Sequence, residues 1–116
     1  MLTNGAVTIY HKVYDELLRI EKWKRYNYSN AWIFNKENIT INQGFTNANT
    51  IEVRIWYDIN KNLNIKNFSI GDIIVKGQVT KDIETQQDLS DYKIYNITSI
   101  TDNIFGGATH IHLGGQ

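Results

Sequence analysis

Two histidines near the end of the chain, His110 and His112, stand two residues apart, the one metal-like pairing in the sequence. On a strand that spacing puts both imidazoles on the same face, where both could reach one ion. A site needs a third ligand, and His11 or Asp102 could supply one only by coincidence of folding. Two surface or interface histidines are the plainer reading. Nucleophilic chemistry has no support, because the chain has no cysteine and no Gly-X-Ser-X-Gly elbow. Gly71 and Gly77 stand six apart without the lysine and hydroxyl of a phosphate-binding loop. The carboxylate pairs Asp15–Glu16 and Asp88–Asp91 fall in polar segments, where nothing would raise one carboxyl above the other for acid–base work. The expectation is a protein that is not an enzyme and that takes no cofactor and no metal.

Binding chemistry is better represented. Trp23-Lys24-Arg25-Tyr26, with Tyr28 and Trp32, interleaves cations with aromatic rings. Such a mixture can stack bases and hold phosphates, or line a sugar-binding face. Arg54 and Trp56 share the polar side of one strand, and both residue types are enriched at interface hot spots. Trp23, Arg25, Trp32, Arg54 and Trp56 are therefore the candidate interface residues. The competing reading makes them core residues of strands covered on both faces. Charge weighs against a dedicated nucleic-acid binder: 12 basic residues balance 12 acidic ones, and the pI is near 6.8. The charge is unevenly placed, with a net of +3 over residues 1–36 and −3 over residues 70–116. Complementary patches of that kind suit a subunit packed beside copies of itself.

These residues need elements to hold them, and the patterning is that of strands. Val7 to Tyr14 alternates as a half-buried strand, with Thr8 and Tyr10 on its polar side. A hairpin turning near residues 15–18 is expected next, with a short helix capped by Asp15 as the alternative. Asn38 to Asn42 is a short alternating piece, and Gln43 to Asn49 a polar loop. Ile51, Val53, Ile55 and Tyr57 face one way from the clearest strand, Glu52, Arg54 and Trp56 the other. Asp58 to Phe68 reads as a loop tacked onto the body by Ile59, Leu63 and Ile65. Asp72 to Val79 reads as a strand buried on both faces at Ile73-Ile74-Val75. One helical turn around Gln86–Asp91 fits the polar stretch that follows. Tyr92 to Thr101 is β-rich, its broken alternation explained by a β-bulge. Phe105-Gly106-Gly107 is a turn, and Thr109 to Leu113 a last strand. The fold class is all-β: a small antiparallel β-barrel or sandwich with long loops and at most one short helix.

At 116 residues one domain spanning 1–116 is expected. Met1 to Gly5 shows no basic or apolar leader, and no run of 18 apolar residues occurs. Synthesis in a cytoplasm, with no membrane partner, is the expectation. Proline is absent, so turns fall to Gly, Asn and Asp.

Several segments together resemble the small neck proteins of long-tailed bacteriophages of Gram-positive hosts, of the head–tail connector, stopper or head-completion type. They are the opening Thr8-Ile9-Tyr10, the Trp23 strand leading to Trp32, and Ile51 to Tyr57. To these are added Ile70-Gly71-Asp72-Ile73-Ile74-Val75-Lys76-Gly77, the run Ile97 to Asn103, and the histidines followed by Gly114-Gly115. The resemblance implies a virion structural protein in the neck between capsid and tail. It would form a homo-oligomeric ring, a hexamer or dodecamer, docked below the portal and its adaptor. Its further partners would be tail-terminator or tail-completion proteins, with DNA passing non-specifically through the lumen. Under it the polar loops carry the gate or the docking contacts: Gln43 and Phe45 in one, Asn60, Lys61, Asn62, Asn64 and Lys66 in the other. A zero net charge suits a channel that passes DNA without gripping it.

Overall fold

Alternating apolar residues and turns made of Gly, Asn and Asp are realised as six strands among the described residues. The computed structural model describes residues 3–38, 48–60, 62–104, 106 and 109–116. The strands are β1 (Gly5–Asp15), β2 (Ile20–Asn38), β3 (Ala48–Trp56), β4 (Ile73–Lys76), β5 (Ile94–Asn103) and β6 (His110–Gly115). All pairings are antiparallel, and they close a barrel in the order β1-β2-β3-β6-β5-β4, with β4 returning to β1. The only helical pieces described are two 3-10 turns, Ile65–Asn67 and Gln86–Leu89. The fold is thus all-β, and of barrel and sandwich it is the barrel. Closure pairs every strand on both sides over part of its length.

Inward-facing residues of every strand fill the barrel: Val7, Ile9, Tyr28, Val53, Ile55, Ile74, Tyr95, Ile97, Ile111 and Leu113 among them. The Asp58–Phe68 connection does more than touch this body. Leu63 and Phe68 are buried in the core, and the Phe68 ring stacks on Tyr28 at 5.9 Å, while Ile59 stays exposed. At Gly115 the β6 backbone comes close to Ile51 and Ile74.

A second apolar cluster lies outside the barrel wall. Residues 77–93 fold over β1 and β4, so Val79, Ile83 and Leu89 cover Tyr10, Ile73 and Val75. Ile73-Ile74-Val75 is therefore buried on both faces, Ile74 inward and its neighbours outward. The same cover changes the expectation for β1. Its first half is buried on both faces, Thr8 included, because the segment across it also anchors on the strand's outer polar groups. Thr8 Oγ1 donates to the Gly77 carbonyl at 2.8 Å and accepts from the Val79 N–H at 2.9 Å.

Residues 15–20 turn as a hairpin, not a helix. Asp15 Oδ1 accepts from the N–H groups of Leu17 and Leu18 at 3.0 and 3.2 Å, which fixes the turn, and Arg19 takes a positive φ of 53°. The bulge expected in the Tyr92–Thr101 run is present as a register shift between Ile97 and Ser99 against β6. Of the Asn38–Asn42 piece, residues 39–42 lie outside the described residues, as do Phe105 and Gly107 of the expected turn.

The molecule is elongated. Its radius of gyration is 15.2 Å and its extents are 50 × 40 × 22 Å, against roughly 13 Å for the radius of a compact domain of this length. Two strand pairs run past their neighbours: β2–β3 continues to Asn38↔Ala48 while β6 stops at Ile51, and the β1–β2 hairpin does the same at its turn end. β1 pairs with β4 only from Val7 to Tyr10, but with β2 it continues to Asp15↔Ile20. The hairpin therefore runs past the barrel as an arm.

Candidate interaction surfaces

Two surfaces stand out, and β2 carries part of each. The first is the outer face of β2, β3, β6 and β5. Register places Trp32, Arg54, His112 and Thr101 in one row across the four strands. Phe34, Glu52, Gly114 and Ser99 form the next row, and Trp56, His110 and Asn103 flank on the other side. Alternation explains the composition: Ile51, Val53 and Ile55 point inward, so Glu52, Arg54 and Trp56 must point outward.

On this face the rings are ordered against one another. Trp32 and Phe34 stack with an interplanar angle of 6° and centroids 5.9 Å apart. The Arg54 guanidinium lies 4.8 Å from the Trp32 ring centre, a cation–π contact. Its Nε–H is shielded from solvent and has no acceptor among the described residues. Trp56 is buried against the His110 ring at 4.7 Å, and His110 lies 6.5 Å from His112. Burial holds the His112 imidazole below its ordinary pKa; Glu52 opposes this, while Arg54 and His110 add to it. Phe34 remains 47% exposed.

The second surface is the tip of the arm. Tyr14, Leu17, Leu18 and Ile20 are all exposed there, Leu17 at 95%. Glu16 is exposed between them. The Asp15 carboxyl is held below its ordinary pKa, first by the Leu18 N–H and further by Lys22 and the Leu17 N–H. It thus stays ionised and keeps the turn in one shape.

The five candidate interface residues divide between different jobs. Trp32, Arg54 and Trp56 come together on the outer face. Trp23 and Arg25 do not join them. Trp23 packs against the second apolar cluster with Lys12 above its ring at 5.6 Å. Arg25 donates to the Thr80 carbonyl and pairs with Asp82 at 2.6 Å, fastening the covering segment to β2 opposite Tyr10. Of the loop candidates, Asn62, Asn64 and Lys66 are exposed on the connection between β3 and β4. Asn60, at the start of the same connection, differs from these three in exposure. It is buried, and its side-chain amide donates to the carbonyls of Asn30 and Trp56 at 2.9 and 3.1 Å, so it closes the barrel end. Gln43, Phe45 and Lys61 lie outside the described residues.

Sequence reasoning missed Phe34 and the leucine tip, and had His110 and His112 as surface or interface residues without their contact to Trp56. The tip had a signal: two adjacent leucines inside a turn that has no core to enter. His110 and His112 do share a face, but the candidate third ligands are engaged elsewhere. His11 bonds to Asp72, and Asp102 accepts from the Tyr57 hydroxyl at 2.7 Å. Among the described residues no group of three or more His, Asp or Glu side chains is placed to hold a metal ion. No helix among them is long and apolar enough to cross a membrane.

Comparison with known proteins gives a family and no further relative. A family described as "Family of unknown function (DUF6751)" matches residues 2–116. Neither a curated protein nor a solved structure matches significantly.

Proposed function

The chain belongs to the DUF6751 family of unknown function, and from its own geometry we propose that it is a virion structural protein of the head–tail connector or stopper type. In this reading identical subunits form a ring in the phage neck, below the portal and its adaptor. The ring retains packaged DNA and presents a platform for the tail. The observation that carries the reading is the arm: a closed barrel extends a two-stranded hairpin whose turn holds Leu17, Leu18 and Ile20 in water. A free monomer gains nothing from such a tip, and a lone two-stranded ribbon is marginal in water. A subunit that grips a neighbour gains a contact. The rigid wall of six strands gives the grip a fixed direction, and the exposed Asn62, Asn64 and Lys66 offer polar contacts at the barrel end.

The test is genetic and visual. A nonsense codon in this gene, in the phage that encodes it, is expected to yield filled heads that lose DNA and do not join tails. Microscopy of the particles is expected to place the protein at the neck. Normal tailed particles from the mutant would remove the reading.

One observation favours a second reading. The row Trp32–Arg54–His112 presents stacked rings beside a cation, which suits a binding module for single-stranded nucleic acid or carbohydrate. Saturable quenching of tryptophan fluorescence by an oligonucleotide or sugar, lost in Trp32→Ala, would favour it over the neck.

A further inference from the structure

The arm tip and the aromatic face complement each other in chemistry. The tip offers Leu17, Leu18 and the carboxylate of Glu16, which makes no ion pair among the described residues. The face offers the parallel, stacked rings of Trp32 and Phe34 and the Arg54 guanidinium, likewise without a carboxylate partner among the described residues. A guanidinium already stacked on an aromatic ring still has its edge free for a carboxylate, in a geometry lysine cannot reproduce. Aromatic and arginine side chains around a small apolar knob make the composition of an interface hot spot.

A copy cannot satisfy its own pair. Ile20 and Trp32 lie on the same strand, 12 residues apart, which is up to about 40 Å of extended chain. The tip cannot fold back along the strand that carries it. We infer that the hairpin tip of one copy, Glu16 to Ile20, docks on the Trp32–Phe34–Arg54 face of the next copy. This rests on the reading of the protein as a ring subunit and names the contact that builds the ring. The two patches differ, so the contact is head-to-tail, and such contacts close into rings when the rotation between copies allows.

The tip is fixed in advance by Asp15, which lowers the ordering cost of docking. The contact is small. A single turn set on so narrow a platform buries roughly several hundred Å², in the range of weak encounters. Free copies therefore associate weakly, and closure of the ring or a partner beneath it supplies the remaining stability.

The chain has no cysteine, so a disulfide can report the contact without background. In the double variant Leu17→Cys with Phe34→Cys, mild oxidation of concentrated protein is expected to give a ladder of linked dimers, trimers and larger species. It should form about tenfold or more faster than in a Leu17→Cys with Lys76→Cys control, whose second thiol lies on β4. Adding Glu16→Arg should slow the ladder, and adding Arg54→Glu to that chain should restore it. These sites are on the surface or partly exposed, and circular dichroism checks that each variant folds.

A ladder no faster than the control overturns the docking. If microscopy still shows rings, only the docking fails, and the ring reading stands. A rapid ladder combined with normal tails in the nonsense mutant keeps the contact and removes the neck role. Oligonucleotide binding at Trp32 by a chain that forms no ladder overturns the docking in favour of a nucleic-acid site.

Discussion

His11 Nδ1 and Asp72 Oδ2 lie 2.6 Å apart, 61 positions distant in sequence. Opposite a carboxylate the Nδ1 nitrogen carries the proton and donates. Asp72 is 1% exposed and also accepts from the N–H groups of Ser69 and Lys12, at 2.7 and 3.1 Å. One carboxylate thereby ties the root of the arm to the turn that launches β4.

Asp72→Ala leaves the buried His11 Nδ1–H and two part-buried backbone N–H groups, of Lys12 and Ser69, without their acceptor. Unsatisfied buried donors cost about 1–3 kcal/mol each, partly relieved by water entering. A net loss of about 2–4 kcal/mol is expected, read as a lower urea midpoint at unchanged slope. A loss below about 0.5 kcal/mol, the size of an ordinary surface change, would contradict the anchoring role.

Adjacent glycines in β6 should respond differently to alanine. At Gly115 a Cβ would stand 3.0 Å from Ile51 Cγ2, 3.1 Å from the Asn96 carbonyl oxygen and 3.2 Å from Ile74 Cδ1. Core side chains and a backbone atom cannot all yield, so Gly115→Ala should cost about 1–3 kcal/mol. At Gly114 the Cβ would meet Ser99 Oγ, the end of a side chain that can change rotamer. Thermal unfolding should therefore rank Gly115→Ala well below Gly114→Ala; equal midpoints would refute this account of the β6 packing.

The aromatic face should weaken the fold in mild acid. The His112 ring is held below its ordinary pKa by burial, opposed by Glu52 and assisted by Arg54 and His110. The unfolded chain takes up the proton near about pH 6.5. Stability from this group is then complete above about pH 6.5 and is lost as pH falls through the folded-state value. His112→Gln should flatten that part of a stability profile measured between about pH 7.5 and 5.5. A variant profile parallel to the wild type would clear His112 of any part in it.

Strand patterning is legible in the sequence to a useful depth. Val53 and Ile55 alternate with Arg54 and Trp56, so alternation alone assigns the inner and outer faces of β3. The broken alternation after Tyr92 announces a bulge, and a bulge is there, between Ile97 and Ser99. Thr8 and Tyr10 read from the same alternation as the open side of a half-buried strand, yet both are covered. Their cover comes from Val79, Ile83 and Leu89, far along the chain, and local periodicity carries no information about what lies over a face. Asn60 shows the same limit: a polar residue in a polar loop, it is bonded inside the barrel end.

The sequence alone determined the chemistry available and the class of element: β-strands, turns without proline, charges in balance, no thiol. Those properties are local, set by residue type and by a period of two. Only the tertiary structure decided which distant residues meet. Closure between β4 and β1, the row that joins Trp32 to Arg54 and His112, and the arm left beyond the barrel all follow from strand register. Register is a property of pairs of strands, which no single stretch of chain contains.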